Sequence, residues 1–235
     1  MNGSIYYDNT LRFQAAWLNV PPERLIEENH FVHPTKIRGD RIPGYAKPFQ
    51  VYALRMEGKT AVYAACVPAL ENELHRRLEK IKPTTAALWF EALNPAIDTS
   101  RARPLNGKDI GAFVRFHQEA YPECKNIDWV PDYARKLIGR DGLFGIFEGC
   151  RLVCAADLPD TPYLPELIAE PGIFTLREHR RKGYAAAVCA ALIQAQLQRG
   201  RTPYWSCGAD NAASINLAKH LGFQPFGDIW RLEHL

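Results

Sequence analysis

The segment of residues 172–195 constrains the fold most, because it joins a short apolar stretch to a basic loop and a long helix. Its sequence is GIFTLREHRRKGYAAAVCAALIQA. Residues 173–176 are apolar or β-branched, which is typical of a strand interior. Between Tyr184 and Gln198 nothing interrupts a helix, and Ala, Leu and Gln dominate. The segment therefore predicts a strand, a loop and a helix in direct succession.

The loop of this unit carries the consecutive cations Arg180, Arg181 and Lys182, followed by Gly183. A helix that begins after such a loop presents unpaired backbone N–H groups at the positive end of its dipole. That end favours a phosphate group, and neighbouring cations strengthen the local positive field. Gly183 lets a ligand approach the backbone closely, and Ala185 keeps the first helical turn thin. The loop thus predicts a phosphate or pyrophosphate site, the alternative being a solvated basic loop.

A second pattern lies in residues 203–223, PYWSCGADNAASINLAKHLGF. Residues 204–207 predict a strand, and Asn211 stands where the N-cap of a helix belongs. Helical spacing continues through Ser214, Leu217, Ala218 and Leu221. Gly222 then predicts the end of that helix, because glycine readily adopts the left-handed conformation of a C-terminal stop.

Together these two segments resemble the GNAT N-acetyltransferase superfamily. Its pyrophosphate loop has the pattern Arg/Gln-x-x-Gly-x-Gly/Ala, which Arg180, Gly183 and Ala185 match. The downstream helix matches the family at Asn211, Ser214, Leu217, Gly222 and Phe223. The resemblance covers residues 101–235, and its specific motifs lie within residues 173–223.

The resemblance implies an α/β (α+β) fold with a mixed central sheet whose middle strands splay apart. Pro95, Pro104 and the polar residues between them interrupt the periodicity, so we expect a boundary near residues 94–104. We therefore expect a GNAT domain at residues 101–235 and an α+β domain at residues 1–100. Analogy with other GNAT proteins suggests that this first domain is a degenerate copy of the fold, although no internal repeat supports it.

Local patterns predict the individual elements. Predicted helices span residues 11–18, 22–28, 69–81, 109–120, 131–138, 184–198 and a segment from Asp210 to Gly222. Predicted strands span residues 31–37, 50–56, 59–66, 88–90, 103–105, 143–147, 151–156, 167–176, 204–207 and 228–232.

The resemblance also implies a co-substrate, acetyl-CoA, and a reaction in which an amine attacks the thioester directly. The acceptor would be a small-molecule or peptide amine, and no metal takes part. Backbone groups of Phe174, Thr175 and Leu176 would pair with the pantetheine arm. The implied CoA-binding set is Phe174, Thr175, Leu176, Arg180, Arg181, Lys182, Gly183, Tyr184, Ala185, Asn211 and Ser214. His179 lies in the same loop and is expected to face phosphate or solvent.

The acid and base of the reaction are less well defined. Family members often carry a Glu on the strand before the loop, which makes Glu170 the expected base and Glu166 the alternative. Glu170 is one residue away from the position where the family's Glu is expected, which would place its side chain on the opposite face of the strand. A bulge at Pro171 would return the side chain to the expected face. Many relatives have a Tyr where this chain has Ala218, so the general acid stays open. Cys207, at the end of the predicted strand 204–207, is either a participant or a packed thiol. The missing Tyr favours a second hypothesis, a non-catalytic acyl-CoA-binding module, whereas Glu170 favours an enzyme.

Composition limits the remaining classes of function. The chain has 235 residues, a formal net charge of +3 and six cysteines without a disulfide or zinc spacing. We expect these cysteines to be mostly buried thiols of a cytoplasmic protein. Neither a signal peptide nor a membrane span is predicted. A nucleic-acid partner is not expected, since basic clusters with interleaved aromatic residues are missing. A homodimer stays open.

Overall fold

The computed structural model describes residues 4–26, 32–36, 49–60 and 62–234. The helices are α1 (Ile5–Leu18), α2 (Leu74–Leu78), α3 (Ile110–Ala120), α4 (Val130–Ile138), α5 (Tyr184–Gln198) and α6 (Ala212–Leu221). The strands are β1 (Val32–Lys36), β2 (Val51–Met56), β3 (Val62–Cys66), β4 (Thr85–Phe90), β5 (Arg103–Pro104), β6 (Leu143–Glu148), β7 (Arg151–Asp157), β8 (Ile168–Ala169), β9 (Gly172–Thr175), β10 (Thr202–Gly208) and β11 (Phe223–Leu232). Short 3-10 helices lie at Pro22–Leu25, Pro68–Leu70, Gly107–Asp109 and Arg177–His179.

The chain divides into two compact units that alternate along the sequence. Unit 1 comprises Met1–Ala92, Asp160–Ile168 and Tyr204–Leu235, and unit 2 comprises Leu93–Pro159 and Ala169–Pro203. The first change of unit falls close to the boundary expected near residues 94–104. The predicted division into domains 1–100 and 101–235 stays a prediction, because the units follow spatial contacts and not chain order.

A seven-stranded sheet has the order β1-β3-β2-β11-β4-β10-β8. β11 lies between β2 and β4 and is antiparallel to both. α1 covers this sheet with buried side chains that include Phe13 and Trp17. A buried polar chain joins helix and sheet: the Tyr52 hydroxyl donates to Gln14 Oε1 (2.6 Å), and Gln14 Nε2 donates to the Tyr204 hydroxyl (3.0 Å). Burial of these polar atoms is tolerated because each has a partner.

Gly227 of β11 follows a β-bulge in the pairing with β4 and lies opposite Met56 of β2. A Cβ at position 227 would lie 3.0 Å from Met56 Cα and closer still to the Arg55 carbonyl oxygen. Neither backbone atom can move without separating two paired strands. We therefore expect Gly227→Ala to lower the free energy of unfolding by about 2 kcal/mol or more, the usual range for overpacking.

Urea denaturation monitored by tryptophan fluorescence measures this effect. Gly107→Ala is the matched control, because a Cβ at Gly107 meets no atom within 4 Å. Both substitutions replace Gly by Ala and therefore lower the conformational entropy of the unfolded chain equally. The difference between their free energies of unfolding then reports the steric clash at position 227. Equal midpoints for the two variants would contradict the prediction.

A four-stranded antiparallel sheet, in the order β5-β6-β7-β9, forms the centre of unit 2. Helices α3 and α4 and the sheet enclose a hydrophobic core that includes Phe113, Val130 and Leu152. α5 contacts β6, β7 and β9. Most of the α5 side chains are buried, as expected for a helix that is apolar around most of its circumference. Its bounds are those predicted from the sequence.

Several predicted elements differ from the structure. The predicted helix 69–81 is reduced to α2, since Asn72 lies in a turn after the 3-10 helix Pro68–Leu70. The predicted strand 167–176 is two strands: β8 joins the seven-stranded sheet and β9 pairs with β7. Pro171 lies in the interruption, where it has no N–H to donate to a ladder. α1 begins at Ile5, six residues before the predicted start at Leu11.

Some expectations concern residues outside those described. Glu27 and Glu28 of the predicted helix 22–28 lie there, as do Phe31 and Ile37 of the predicted strand 31–37 and Ala61 of the predicted strand 59–66. The described parts of these segments form the 3-10 helix Pro22–Leu25 and the strands β1 and β3.

All six cysteines are free thiols. Cys66, Cys154 and Cys189 are buried, whereas Cys124 and Cys207 are partly exposed and Cys150 is exposed. Half of the cysteines are therefore buried, whereas the sequence analysis expected most of them to be. Across the described ranges, none of the helices is both long and apolar enough to cross a bilayer.

Candidate functional site

Strand β9 is at the edge of the four-stranded sheet that the described strands form, and it pairs with β7. The register places Phe174 opposite Ala155, and Leu176 N–H donates to the Val153 carbonyl (3.0 Å). Hydrogen-bonded and non-hydrogen-bonded pairs alternate along an antiparallel ladder. The backbone groups of Ile173 and Thr175 therefore point away from β7, towards the open edge. An extended ligand with amide groups can pair with such an edge.

The loop after β9 ends in a helix start that has no side-chain cap. Gly183 is the N-cap of α5, in the left-handed conformation with φ 78°. The first helical hydrogen bond runs from Ala187 N–H to the Gly183 carbonyl (3.1 Å). Helix geometry then leaves the N–H groups of residues 184–186 without intrahelical acceptors. Arg181 also has a positive φ of 64°, a conformation that costs energy for a residue with a side chain and is enriched at ligand-binding sites.

A carboxylate that the sequence analysis did not single out, Glu148, lies against this loop. The Tyr184 hydroxyl donates to Glu148 Oε1 (2.5 Å), and Lys182 Nζ lies 3.1 Å from the same oxygen. Buried His179 places its Nδ1 3.2 Å from Glu148 Oε2, whereas it was expected to face phosphate or solvent. The Tyr184 and Lys182 hydrogen bonds, with a smaller contribution from His179, lower the pKa of Glu148 to about 2. Glu148 is therefore anionic at neutral pH and fixes Lys182 and Tyr184.

The two arginines of the loop have exposed side chains. Arg180 Nε donates to the Thr175 carbonyl (3.0 Å), and its guanidinium lies 5.5 Å from the centroid of the Phe174 ring. Arg181 is exposed next to the uncapped helix start. Since Glu148 offsets the charge of Lys182, Arg180 and Arg181 carry the excess positive charge near the N–H groups of α5.

A cavity of about 350 Å³ opens within unit 2. Helices α3 and α4, strands β7 and β9 and the α3–α4 connection supply its walls, which are predominantly aromatic. The lining residues are Phe113, Phe116, His117, Tyr121, Trp129, Tyr133, Ala155, Asp157, Gly172, Ile173 and Phe174. The cavity therefore borders β9, the strand that leads into the loop. Sequence patterns predicted the helix at residues 109–120 but gave no signal for this convergence.

Asp157 is the acidic group of this cavity. The Tyr133 hydroxyl donates to Asp157 Oδ2 (2.6 Å). Burial raises the pKa of Asp157, against the opposing effects of the Tyr133 hydrogen bond and of His117. Burial and the nearby Asp157 raise the pKa of Tyr133 above its usual value. Gly172 lies opposite Asp157 in the β7–β9 register, and a Cβ there would collide with the carboxylate.

His117 is the second polar group of the cavity. Its side chain belongs to a residue only 9% exposed, and its Nδ1 has no hydrogen-bond partner in the part of the chain that the structure describes. The rings of Tyr121 and Trp129 lie near it, with centroid distances of 4.8 and 5.1 Å. Burial lowers the pKa of His117, with Asp157 and Glu123 opposing that shift. The imidazole is thus neutral at neutral pH.

The predicted residues of α6 have local structural roles within unit 1. Asn211 caps the helix, its side-chain oxygen accepting a hydrogen bond from Ser214 N–H (3.1 Å). The Ser214 hydroxyl accepts a hydrogen bond from Trp205 Nε1 (3.0 Å). Ala218, which stands where many GNAT proteins have a Tyr, is fully buried, and Cys207 is partly exposed.

The predicted base, Glu170, lies with Pro171 in the interruption between β8 and β9, and its side chain is half-buried. Glu166, the alternative, is exposed in the segment before β8. Within the described ranges, His, Cys, Asp and Glu side chains form no group of three or more that could hold a metal ion.

Comparison with known proteins identifies this part of the chain. Residues 144–228 match the model of the family described as GNAT acetyltransferase. This match covers less than half of the chain. The match includes β9, the basic loop, α5 and α6, so the resemblance inferred from the sequence motifs is confirmed for the C-terminal part. No curated protein sequence matches the chain.

Several solved structures match parts of the chain. A GNAT acetyltransferase from Colwellia psychrerythraea shares 22% identity with a TM-score of 0.55, over 63% of this chain and 55% of that one. A GNAT-family protein from Novosphingobium aromaticivorans shares 21% identity with a TM-score of 0.48, over 64% of this chain and 66% of that one. The yncA protein from Salmonella typhimurium, solved with its cofactor acetyl-CoA, shares 15% identity with a TM-score of 0.46, over 57% and 94% of the two chains.

The chain thus spans less than two thirds of the length of the first two of these proteins. The likeness to the Colwellia protein confirms the predicted fold class, a mixed α/β fold of GNAT type. That residues 1–100 are a degenerate GNAT copy stays a prediction.

Proposed function

We propose that the protein transfers an acetyl group from acetyl-CoA to an amine, either a small molecule or a peptide amine. The match of residues 144–228 to the GNAT acetyltransferase model supports acetyl transfer in general. The observation that carries the choice of donor is the uncapped start of α5 at Gly183, beside the cations Arg180 and Arg181. Backbone N–H groups and positive charge at one helix start suit a pyrophosphate.

The residues that would hold acetyl-CoA fit its chemistry. The N–H groups of residues 184–186 and the loop cations would bind the pyrophosphate. The outward backbone groups of Ile173 and Thr175 would pair with the pantetheine amides, whereas Leu176 N–H is already donated to Val153. That Asn211 and Ser214 of α6 bind CoA stays a prediction from the sequence. When bound, acetyl-CoA supplies the reactive thioester.

The chain must also remove a proton from the acceptor, because an ammonium group has no lone pair with which to attack. We assign this step to Glu170, whose carboxylate would accept the proton before or during attack. The attack is direct, without a covalent enzyme intermediate. Ala218 provides no phenol, so the departing thiolate receives no proton from that position.

A non-catalytic acyl-CoA-binding module is the second candidate function, and buried Ala218 is the observation that favours it. Release of free CoA thiol during incubation with acetyl-CoA and a panel of amines supports the enzyme. Acetyl-CoA binding without thiol release supports the binding module. The proposed compartment is the cytoplasm, because six free thiols are typical of a reducing environment.

The loop assignment is tested by Gly183→Val, which we expect to weaken CoA binding at least 10-fold, or about 1.4 kcal/mol. A Cβ at Gly183 meets no protein atom within 4 Å, so the branched side chain would occupy space proposed for phosphate. Isothermal titration calorimetry with CoA measures the change. Affinity of the unmodified protein should also fall as salt rises, because the contact is partly ionic.

Gly200→Val is the matched control for this variant. Gly200 follows the other end of α5 and has a φ of +74° against +78° for Gly183, and a Cβ there likewise meets no atom within 4 Å. The two substitutions impose similar backbone strain. Unchanged CoA affinity in folded Gly183→Val, or an equal loss in Gly200→Val, would refute the loop assignment.

A further inference from the structure

We propose that His179 is a positioning residue for CoA binding, because its imidazolium form bridges Glu148 and Glu178. This bridge fixes the basic loop, residues 177–183, and the affinity for CoA therefore rises as the pH falls. The inference rests on the proposed function, since it describes how the protonation of one side chain regulates the proposed CoA site. It concerns the end of the β6–β7 hairpin, which contacts the loop.

His179 is a buried residue in an exposed loop. It is 9% exposed, whereas every other residue from 177 to 183 is exposed. It is the last residue of a 3-10 helix, and its backbone N–H donates to the Leu176 carbonyl (2.9 Å). The next two residues are the arginines of the loop. The position of this imidazole therefore bears directly on the backbone that carries both arginines.

A carboxylate lies near each nitrogen of the imidazole. Nδ1 is 3.2 Å from Glu148 Oε2, and Nε2 is 3.6 Å from Glu178 Oε1. Neither nitrogen makes a well-directed hydrogen bond to a described residue. A neutral imidazole has one N–H, so one of its nitrogens presents a lone pair to a carboxylate, whereas an imidazolium can donate from both. In the proposal a small rearrangement of the loop completes both hydrogen bonds once the imidazole is charged.

Both carboxylates keep their charge in the pH range concerned. The Tyr184 hydroxyl and the other donors to Glu148 lower the pKa of that carboxyl to about 2. A hydrogen bond from its own backbone N–H, and a further one from Arg151, lower the pKa of Glu178. A histidine ordinarily changes charge between about pH 5 and 8. In that range the charge of this trio therefore changes through His179 and not through its two carboxylates.

The remaining charged groups of the cluster hold these carboxylates in place. Arg151 Nη2 donates to Glu178 Oε1 (2.7 Å) and also to Glu119 on α3. Lys182 Nζ lies 3.1 Å from Glu148 Oε1. Because Glu148 ends β6 and Arg151 begins β7, both of these contacts with the loop come from the hairpin end. Two anions with fixed positions therefore face the imidazole.

A charged imidazole would favour an anionic ligand at the loop. Arg180 and Arg181 follow His179 directly, and Gly183 is the N-cap of the uncapped helix start. One more cation here raises the positive potential where the pyrophosphate is proposed to bind, and a loop already fixed loses less freedom on binding. The coupling between proton and ligand is reciprocal, so the bound pyrophosphate promotes protonation of His179 to the same extent. Binding should therefore take up protons.

The experiment is calorimetric titration of the intact protein with 3′-dephospho-CoA at about pH 5.5 and about pH 8, at one ionic strength. This probe keeps the pyrophosphate but lacks the 3′-phosphate, which itself titrates in this range. We expect the probe to bind about 5-fold more tightly, or more, at the lower pH, the lower end of ordinary coupling between two sites. Titration at about pH 7 in buffers of different ionisation enthalpy should show net proton uptake.

His179→Gln removes the titrating group, so we expect this variant to lose both the pH dependence and the proton uptake. His75→Gln is the matched control and should keep both, because His75 also lies near a glutamate, with Nδ1 3.5 Å from Glu79 Oε1, but belongs to α2. Equal affinity of the unmodified protein at the two pH values, or binding without proton uptake, would overturn the inference. So would an unchanged pH dependence in His179→Gln. The first two outcomes need no variant, so they decide the matter even if His179→Gln does not fold.

Failure of the inference and failure of the proposed function give different results. Proton uptake that depends on His179, without release of CoA thiol from acetyl-CoA and amines, would refute the transferase and leave the positioning role in place. Thiol release together with an affinity for the probe that is independent of pH would refute the positioning role and leave the transferase in place.

Discussion

A fragment of residues 101–235 should fail to fold cooperatively, because strand β11 is completed by strands from the first 92 residues. The register pairs residues 227–232 of β11 with residues 51–56 of β2, and residues 223–229 with residues 85–90 of β4. Truncation at residue 101 removes the neighbours of β11 on both sides. β10 also loses β4, with which it pairs from Tyr204 to Gly208.

The same truncation would expose the side chains that these strands bury. Tyr204, Phe226 and Ile229 are at most 1% exposed and share a core with residues of α1 and β2. Exposing each costs about 1.5–3 kcal/mol. The summed free-energy cost of exposing the three side chains, together with that of the unpaired strand edges, is comparable to the free energy of unfolding of a typical domain, about 5–15 kcal/mol.

Expression of the fragment alone, followed by thermal melting and binding of a hydrophobic dye, measures this outcome. We expect insoluble protein, or a soluble species that binds dye and melts without a transition. Co-expression of residues 1–100 with residues 101–235 is the control, and it should restore a soluble complex. A soluble, cooperatively melting fragment with full activity would show that the first hundred residues are an independent appendage.

Local signals account for the elements that the sequence predicted well. α5 follows a glycine and consists of strong helix formers, so its bounds at Tyr184 and Gln198 could be read directly. α6 begins after Asn211, which caps it, and ends at Gly222 with a positive φ of 105°. Each of these signals depends on residues within one helical turn.

Elements that depend on distant residues were predicted less well. The start of α1 contains polar Asn9 and Thr10, which are buried because the helix packs on a sheet. The Thr10 hydroxyl donates a hydrogen bond to the Tyr6 carbonyl. The break at Pro171 was expected as a bulge. The strands before and after the break, β8 and β9, join different sheets. This outcome depends on which other strands are available as partners.

The candidate site shows the same division. The loop cations and Gly183 are contiguous in sequence, so the pattern alone indicated them. Asp157, His117 and Gly172 meet only through the packing of α3 and the pairing of β7 with β9. Glu148 likewise reaches Lys182 only because the β6–β7 hairpin ends beside the loop. No local pattern distinguishes these residues from structural ones.

Loss of the proposed base should have the largest effect on turnover. We expect Glu170→Gln to lower kcat by about 10²-fold or more, the usual contribution of a general base, because glutamine keeps the shape of the side chain but cannot accept a proton. Glu170 lies two residues before β9, and its side chain is half-buried. Release of CoA thiol with the best amine of the panel gives the rate, and calorimetry should show unchanged CoA affinity.

The pH dependence separates a base from a structural carboxylate. If Glu170 accepts the proton, the acidic limb of the kcat/KM profile should disappear in Glu170→Gln, whereas a merely destabilised enzyme keeps the limb at a lower rate. Glu57→Gln, in the exposed turn between β2 and β3, is the control and should keep the rate and the profile. An unchanged rate and profile in Glu170→Gln would remove Glu170 from the mechanism. A loss of kcat in Glu166→Gln would then identify Glu166 as the base.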